Sequence, residues 1–476
     1  MRDIVVTLIV FGAIPLVFMR PWTGILLFAW ISYMNPHRLT YGFAFNFQFA
    51  MLAALATIIA FVIGKDSKKI PVTPITVTLF IFILWTSITT IFALAPENAM
   101  EQYTKFLKIQ LMTVLTLAMI NSRERITWLV IVIAFSLGFY GVRGGVFSIL
   151  TGGNYQVWGP PGSFFQDNNQ LALTLIMTMP LIHYLQLVCT KKLHRHALSV
   201  MLLLTLAAII GTHSRGALLA LCTMGFFLWL RSSRKLPVSI AAVIGVIGVL
   251  SFMPQHWFDR MDTINTYEED ESAMGRFDAW QFAINVANDR ALGGGFKVNT
   301  SAELWPIYNP ESPEVRAPHS IYFEVLGEHG WTGLSIFLLL GVTGFFTCSR
   351  IIGRARGRPD LKWASDLAKM IQVSLVGYAS AGAFLNLATF DLYYHLLAII
   401  VQTRLCVARA VAEGPPLAVR PVTGAEADPH AQGGDDAAVE EALPGPEETV
   451  EETGRQEGRE TGGRLGGASG YLIRRR

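Results

Sequence analysis

Three side chains carry charged or titratable groups at positions where the surrounding sequence is apolar or turn-forming. Arg215 lies in Gly-Thr-His-Ser-Arg-Gly, Arg276 in Gly-Arg-Phe-Asp-Ala-Trp, and His319 in Arg-Ala-Pro-His-Ser-Ile-Tyr. A guanidinium stays charged at any working pH and matches the geometry of a phosphate or diphosphate. A neutral imidazole accepts a proton near physiological pH and suits general-base catalysis on a hydroxyl. The three residues together predict a site that binds an anionic group and activates a nucleophile.

Each of these residues also has an ordinary structural interpretation. Arg215 would reach the membrane interface along its aliphatic stem or pair with a loop carboxylate. Arg276 would form an ion pair with Asp278 or Glu271, and His319 would be a hydrogen-bonded structural histidine. The residue types alone leave both interpretations open.

Five further polar residues flank these positions and are candidates for binding substrate. Asp167 and Asn169 end a Pro-rich polar loop, where they would either cap the next helix or shape the site. Arg143 lies inside the apolar run before that loop, and its partner would be Asp167 or a lipid phosphate. Tyr322 and Glu324 follow the histidine within about a turn and would orient its ring.

Metal and cofactor chemistry has little support in the sequence. The acidic cluster at 268–271 is contiguous, which is typical of a solvated surface, and no carboxylate or histidine set has ligand spacing. Neither a Walker loop nor a dinucleotide fingerprint is present. The four cysteines lie in or beside apolar runs and are interpreted as small buried side chains. We therefore predict no metal and no cofactor.

The composition indicates what must position these residues. Hydrophobic residues make up 52% of the 476 residues and charged residues only 15%, against about 25% charged in soluble domains. The apolar runs are about 20 residues long, the length of a helix that crosses a bilayer. We predict an all-α polytopic integral membrane protein with about twelve transmembrane helices. The predicted spans are 4–34 (broken at Pro21, so that thirteen spans are also possible), 45–64, 71–94, 104–120, 126–150, 170–189, 196–212, 215–231, 236–253, 331–349, 366–388 and 390–408.

The loops between these spans predict the orientation of the chain. Lysine and arginine concentrate in alternate loops, as expected of cytoplasmic loops. These basic loops lie at 65–69, 123–125, 191–195, 231–235 and 350–362. The opposite, extracytoplasmic side then receives Arg215, Arg276 and His319, where the positive-inside bias does not favour arginine.

The chain divides into four predicted regions. Residues 1–253 are N-terminal transmembrane helices, 254–330 an extracytoplasmic loop, 331–410 C-terminal transmembrane helices, and 411–476 a cytoplasmic tail. The loop has 13 acidic and 5 basic residues, and helical spacing predicts helices at Ser272–Asn288 and from Pro318. The tail is rich in Pro, Gly, Ala and Glu, so we predict that it is disordered.

Several short motifs occur in an order that resembles a known family. They are Ser214-Arg215-Gly216, Gly275-Arg276 with Trp280, Gly293-Gly294-Gly295-Phe296, His319-Ser320-Ile321-Tyr322 and Glu328-His329-Gly330-Trp331-Thr332-Gly333-Leu334. Over residues 1–410 the sequence resembles the O-antigen ligase and polymerase superfamily of bacterial envelope glycosyltransferases, and the ligases in particular. The N-terminal third also resembles the branch of O-glycosylation ligases found beside exosortase systems.

The resemblance implies a GT-C-like glycosyltransferase of the bacterial inner membrane with a periplasmic active site and a partly helical periplasmic cap loop. It implies an undecaprenyl-diphosphate-linked glycan as donor and lipid A-core as acceptor, in an inverting reaction without metal or nucleotide cofactor. Membrane lipids surround such an enzyme, and no nucleic acid is involved. His319 would then be the base, and Arg215 and Arg276 would hold the diphosphate.

Alternatives within and outside the enzyme class stay open. An O-antigen polymerase or a protein O-oligosaccharyltransferase would use the same donor, so the arginines do not distinguish them. A lipid-linked glycan flippase or secondary transporter would be expected to show an inverted repeat and charges near the bilayer midplane. The clustering of the candidate charges at one face favours an enzyme. The acidic tail is not required by the family.

Overall fold

The protein is all-helical, as the sequence predicts. A computed structural model describes residues 1–414 except 66–67, 232–234, 256, 259–270 and 313, and this part of the chain contains no strand. The tail prediction from 415 onward and most of the acidic cluster lie outside the described residues. The α-helices are α1 (Arg2–Met19), α2 (Trp22–Met34), α3 (Phe49–Ile63), α4 (Pro74–Ile91), α5 (Pro96–Met119), α6 (Arg123–Leu150), α7 (Asn168–Val188), α8 (Lys192–Gly211), α9 (Arg215–Arg231), α10 (Lys235–Phe252), α11 (Glu271–Asp289), α12 (Trp305–Tyr308), α13 (Ile321–Arg354), α14 (Lys362–Gly382) and α15 (Asp391–Ala412).

Many of these helices have the length and composition of membrane spans. Among the described residues, seven helices are long and apolar enough to cross a bilayer, namely α1, α4, α6, α7, α8, α13 and α15. Shorter apolar helices occur at Trp22–Met34, Phe49–Ile63, Arg215–Leu230 and Val243–Phe252. Outer helices expose large apolar side chains such as Leu8 and Phe11 of α1, as a lipid-facing surface requires. The chain is therefore a multi-pass membrane protein, and the count of about twelve spans stays a prediction.

The predicted span at 4–34 consists of two helices. α1 ends at Met19 and α2 begins at Trp22, so the break falls at Arg20 and Pro21. Proline disfavours the helical conformation in the residue before it, which explains why the apolar run divides there. The run therefore forms two helices, of which α2 has only 13 residues, and the choice between twelve and thirteen spans stays a prediction.

Glycines let α6 and α8 pack at short distance. A Cβ at Gly145 would lie 2.1 Å from the carbonyl oxygen of Leu204, and one at Gly141 would lie 2.3 Å from Oγ1 of Thr205. Small residues allow such close approach between helices in a membrane, where packing rather than the hydrophobic effect drives association. This contact fixes the position of α6, whose other face lines a cavity described below.

The cap loop has its own small core. Phe282 of α11 stacks on Trp305, with ring centroids 4.6 Å apart, and Ala279, Val286 and Val298 complete the buried cluster. α11 covers the helix predicted at 272–288. The second predicted helix begins at Ile321 rather than at Pro318.

α13 changes direction within its length. Gly330 has φ 69° and ψ −176°, which is not helical, and this region of backbone space is essentially restricted to glycine. A Cβ at Gly330 would lie 2.5 Å from the carbonyl oxygen of Ala291. The segment 321–329 packs beside the cap helix α11, and the predicted span at 331–349 is the second part of α13.

Candidate functional site

His319 lies in a strained loop directly before α13. Its φ of 42° is in the left-handed region, which costs a residue with a Cβ conformational energy. Two hydrogen bonds hold the flanking peptides: Trp280 Nε1 donates to the carbonyl oxygen of Pro318 at 2.7 Å, and Ser320 N donates to Oδ1 of Asn386 at 3.1 Å. The conformation that separates His319 from the helix is therefore fixed from both sides.

Trp280 joins the cap helix to the start of α13. Its ring stacks on Phe323 with centroids 4.7 Å apart and planes 10° from parallel. The same indole donates to the peptide next to His319, so one side chain fixes both the helix and the loop. Arg276 lies one helical turn before Trp280 on α11, so both residues are on the part of the helix that faces the His319 loop.

The electrostatic surroundings of His319 come from two of the predicted residues. Burial lowers the pKa of His319 below its ordinary 6.5, the positive charge of Arg276 lowers it further, and the Asp167 carboxylate acts in the opposite direction. The imidazole is therefore neutral at physiological pH, which is the form that can accept a proton. Arg276 and Asp167 therefore lie within electrostatic range of His319.

Arg215 lies at the start of α9, which contacts the loop between α14 and α15. It is the first residue of α9, and a Cβ at the adjacent Gly216 would lie 3.0 Å from Cβ of Phe384. Phe384 lies two residues before Asn386, which binds the amide next to His319. The start of α9 and the His319 loop therefore contact the same short segment.

A second connection runs through the loop that contains Asp167. Asn168 Nδ2 donates to the carbonyl oxygen of Thr212 at 2.8 Å, in the turn before α9. Oδ1 of Asp167 accepts from the backbone N and Nδ2 of Asn169 at 2.9 and 3.1 Å. Asp167 thus caps α7, as one interpretation predicted, and also lies close enough to His319 to affect its pKa.

Tyr322 and Glu324 bind other elements, contrary to the expectation that they orient the imidazole. The Tyr322 hydroxyl donates to the carbonyl oxygen of Ala379 at 2.7 Å, and Oε2 of Glu324 accepts from the backbone N of Ala388 at 3.1 Å. Both side chains attach α13 to α14 and to the segment that follows it. The reason is that His319 lies outside the helix, so helical spacing does not relate its side chain to theirs.

Arg143 lies apart from the other candidates. It lines a cavity of about 1090 Å³ together with Arg2 and Arg38, and none of Arg215, Arg276 and His319 is among the lining residues. Within the described chain Arg143 forms no ion pair with Asp167, which was one of its two expected partners.

The glycine run at 293–295 contacts protein rather than open space. A Cβ at Gly293 would lie 2.5 Å from the backbone N of Gly330, and one at Gly295 would lie 2.3 Å from Cβ of Ala93. Gly294 N donates to the carbonyl oxygen of Gly327 at 2.9 Å. Neighbouring protein atoms therefore occupy the space beside these glycines, which let the chain pack closely on itself.

Three residues that contact the candidate site or line the cavity were not identified from the sequence. Asn386 and Phe384 are distant in sequence from the residues they contact, so no local pattern marks them. Arg38 did carry a signal, because it lies between two predicted spans on the extracytoplasmic side, as Arg215 does. The same positive-inside argument would have identified it.

Comparison with known families agrees with this architecture. Residues 200–338 match a family model described as O-antigen ligase, and residues 1–190 match one described as a family of unknown function. The first match contains Arg215, Arg276 and His319. No curated protein matches the chain. By this match, residues 200–338 belong to the O-antigen ligase and polymerase superfamily, and the apolar helices indicate a multi-pass membrane protein.

Proposed function

We propose that the protein is an O-antigen ligase of the bacterial inner membrane. It transfers a glycan from undecaprenyl diphosphate to a sugar hydroxyl of lipid A-core at the periplasmic face, in a GT-C-like fold and without a metal. The observation that carries the proposal is that the cap helix with Arg276 is bound to the His319 loop, by the hydrogen bond from Trp280 to Pro318, within a match to the ligase family.

In the proposed reaction His319 accepts the proton of the acceptor hydroxyl as its oxygen attacks the anomeric carbon. The bond from that carbon to the diphosphate oxygen breaks, and a single displacement inverts the configuration. Arg276 and Arg215 stabilise the charge that develops on the leaving diphosphate, which fixed cationic donors do most effectively. Asp167 opposes the effect of Arg276 on the histidine, and Asn169, Tyr322 and Glu324 support the walls of the site.

The test is a reconstituted transfer assay with the full-length protein. We expect Arg215→Ala, Arg276→Ala and His319→Ala to lower the transfer rate by about a hundredfold or more, because a general base or a charge-stabilising donor contributes about that much. His194→Ala and Arg350→Ala are matched controls, since both residues are exposed and lie in predicted cytoplasmic segments. Wild-type rates in all three site variants would contradict the proposal.

The acceptor decides between the ligase and its closest alternative. The assay is run with the undecaprenyl-diphosphate glycan and either lipid A-core or a second lipid-linked glycan. Extension of lipid A-core identifies a ligase, whereas extension of the lipid-linked glycan would identify a polymerase and would contradict the acceptor proposed here.

A further inference from the structure

We propose that the cavity around Arg38 and Arg143 is a binding site for the phosphate group of an anionic membrane lipid, one whose head group carries no compensating positive charge. It is distinct from the candidate site around His319, and it is tested by binding alone. The cavity has a volume of about 1090 Å³, slightly above the range of about 300–1,000 Å³ that is usual for small-molecule sites.

The charges that line the cavity have one sign. Its walls come from the start of α1, the segment 36–45, the end of α6 and the loop 156–161. Arg2, Arg38 and Arg143 line it, and the lining residues, all of them described, include no aspartate or glutamate. Asp3 is next to Arg2 but does not line the cavity, and its Oδ1 accepts from the backbone N of Gly42 and of Ala44 at 3.0 and 3.1 Å. A cavity with this charge favours an anionic ligand.

Arg38 is held in place but forms no ion pair with any acidic side chain in the described part of the sequence. Its guanidinium carbon lies 4.8 Å from the centroid of the Phe45 ring, and a Cβ at Gly162 would lie 3.1 Å from that carbon. The Nε atom is buried and has no hydrogen-bond partner among the described residues. Burying such a donor without an acceptor is costly, and a phosphate oxygen is the acceptor that its charge prefers.

Arg143 presents a second charge to the same space. It lies on α6 between Phe139 and Phe147, which line the cavity one helical turn to either side. The side chain is exposed, and it forms no ion pair within the described chain. An arginine among apolar residues at membrane depth requires an anion or water, and the cavity provides room for one.

The aromatic side chains around the opening favour a lipid over a free phosphate. Tyr41 is 89% exposed and Trp158 is 56% exposed, and both line the cavity. Exposed tyrosine and tryptophan are typical of the level at which lipid head groups lie. Apolar residues of α1 next to the cavity, such as Val5 at 53% exposure, would contact the acyl chains.

The experiment measures binding to the full-length protein, purified in a non-ionic detergent. The probes are dioctanoyl phosphatidate, dioctanoyl phosphatidylcholine and inorganic phosphate. We expect phosphatidate to bind and its Kd to rise about tenfold in Arg38→Ala and in Arg143→Ala, which corresponds to about 1.4 kcal/mol each. Lys105→Ala is the matched control, because Lys105 is exposed, pairs with Glu101 at 2.6 Å and does not line the cavity.

Several results would overturn the proposal. They are equal affinity for phosphatidate and phosphatidylcholine, an unchanged Kd in the Arg38→Ala/Arg143→Ala double variant, or equal weakening in Lys105→Ala. Inorganic phosphate that binds as tightly as phosphatidate would also overturn it, because the acyl chains would then contribute nothing. If Arg38→Ala does not give a monodisperse protein, Arg143→Ala and Arg143→Glu decide the question, since Arg143 is exposed.

Discussion

Trp280 offers the sharpest test of how the His319 loop is held. Trp280→Phe removes the hydrogen bond to Pro318 but keeps an aromatic ring against Phe323. Trp280→Ala removes both interactions. If the loop needs this support to keep His319 in a left-handed conformation, the two variants should lose activity in that order.

The expected magnitudes follow from the two contacts. Loss of one hydrogen bond costs about 1 kcal/mol, and loss of the stacked pair adds about 1 kcal/mol beyond the buried area. Truncation of a large aromatic side chain to alanine costs about 3 kcal/mol at the low end of its range, which suits the half-buried Trp280. A displacement of a catalytic group by about 1 Å costs up to a hundredfold in rate. We therefore expect about a fivefold loss of transfer in Trp280→Phe, from about 1 kcal/mol, and up to about a hundredfold loss in Trp280→Ala.

The assay compares transfer rates with thermal unfolding of the same preparations. Trp331→Phe is the control, because Trp331 also loses one indole hydrogen bond, to Oδ1 of Asn288 at 3.0 Å, but lies outside the loop. Its transfer rate should stay within about twofold of wild type, as expected for one exposed hydrogen bond. The reasoning is refuted if Trp280→Phe transfers glycan at the wild-type rate, or if Trp331→Phe loses as much activity.

Three further predictions concern the loop, the pH profile and the helix packing. The pKa of His319 is below 6.5 in the folded protein, so the transfer rate should fall as the pH drops through that lower pKa. Asp167→Asn removes the carboxylate that raises this pKa, so the variant should shift the acidic limb of the pH-rate profile to lower pH. A shift of that limb to higher pH would contradict the prediction. Asn386→Ala removes the acceptor for the amide that follows the histidine, and we expect a loss of transfer without loss of lipid-donor binding, measured separately. Gly145→Ala places a Cβ against the carbonyl oxygen of Leu204 and should destabilise the protein by about 1–3 kcal/mol, measured by thermal unfolding. Gly12→Ala is the control, because its Cβ meets no atom within 4 Å, and its unfolding midpoint should be unchanged or higher.

The sequence predicts the elements better than the contacts between them. Apolar runs of fixed length predict the membrane helices because lipid excludes unpaired backbone, and the helical spacing at 272–288 predicts α11. The break at Pro21 also has a local cause. By contrast, periodicity over the start of α13 fails to predict the surroundings of Glu324, because its partner Ala388 belongs to a distant loop.

The candidate site was predictable in its residue types and only partly in its geometry. Arg276 and His319 are close in space although 43 positions separate them in the sequence, and their shared extracytoplasmic side was the only local indication. The glycine run at 293–295 shows the reverse case. Its backbone freedom is used to pack against Gly330 and Ala93, and a sequence pattern does not reveal whether a glycine admits a ligand or another part of the chain.

The break at Gly330 gives the two parts of α13 independent helical phase. In an uninterrupted helix, one inserted residue rotates everything beyond it by about 100°. The non-helical backbone at Gly330 already interrupts that relation between the segment that follows His319 and the apolar stripe of 331–354. A substitution at Gly330, where a Cβ would lie 2.5 Å from the carbonyl oxygen of Ala291, would therefore disturb the course of both parts of α13 at once.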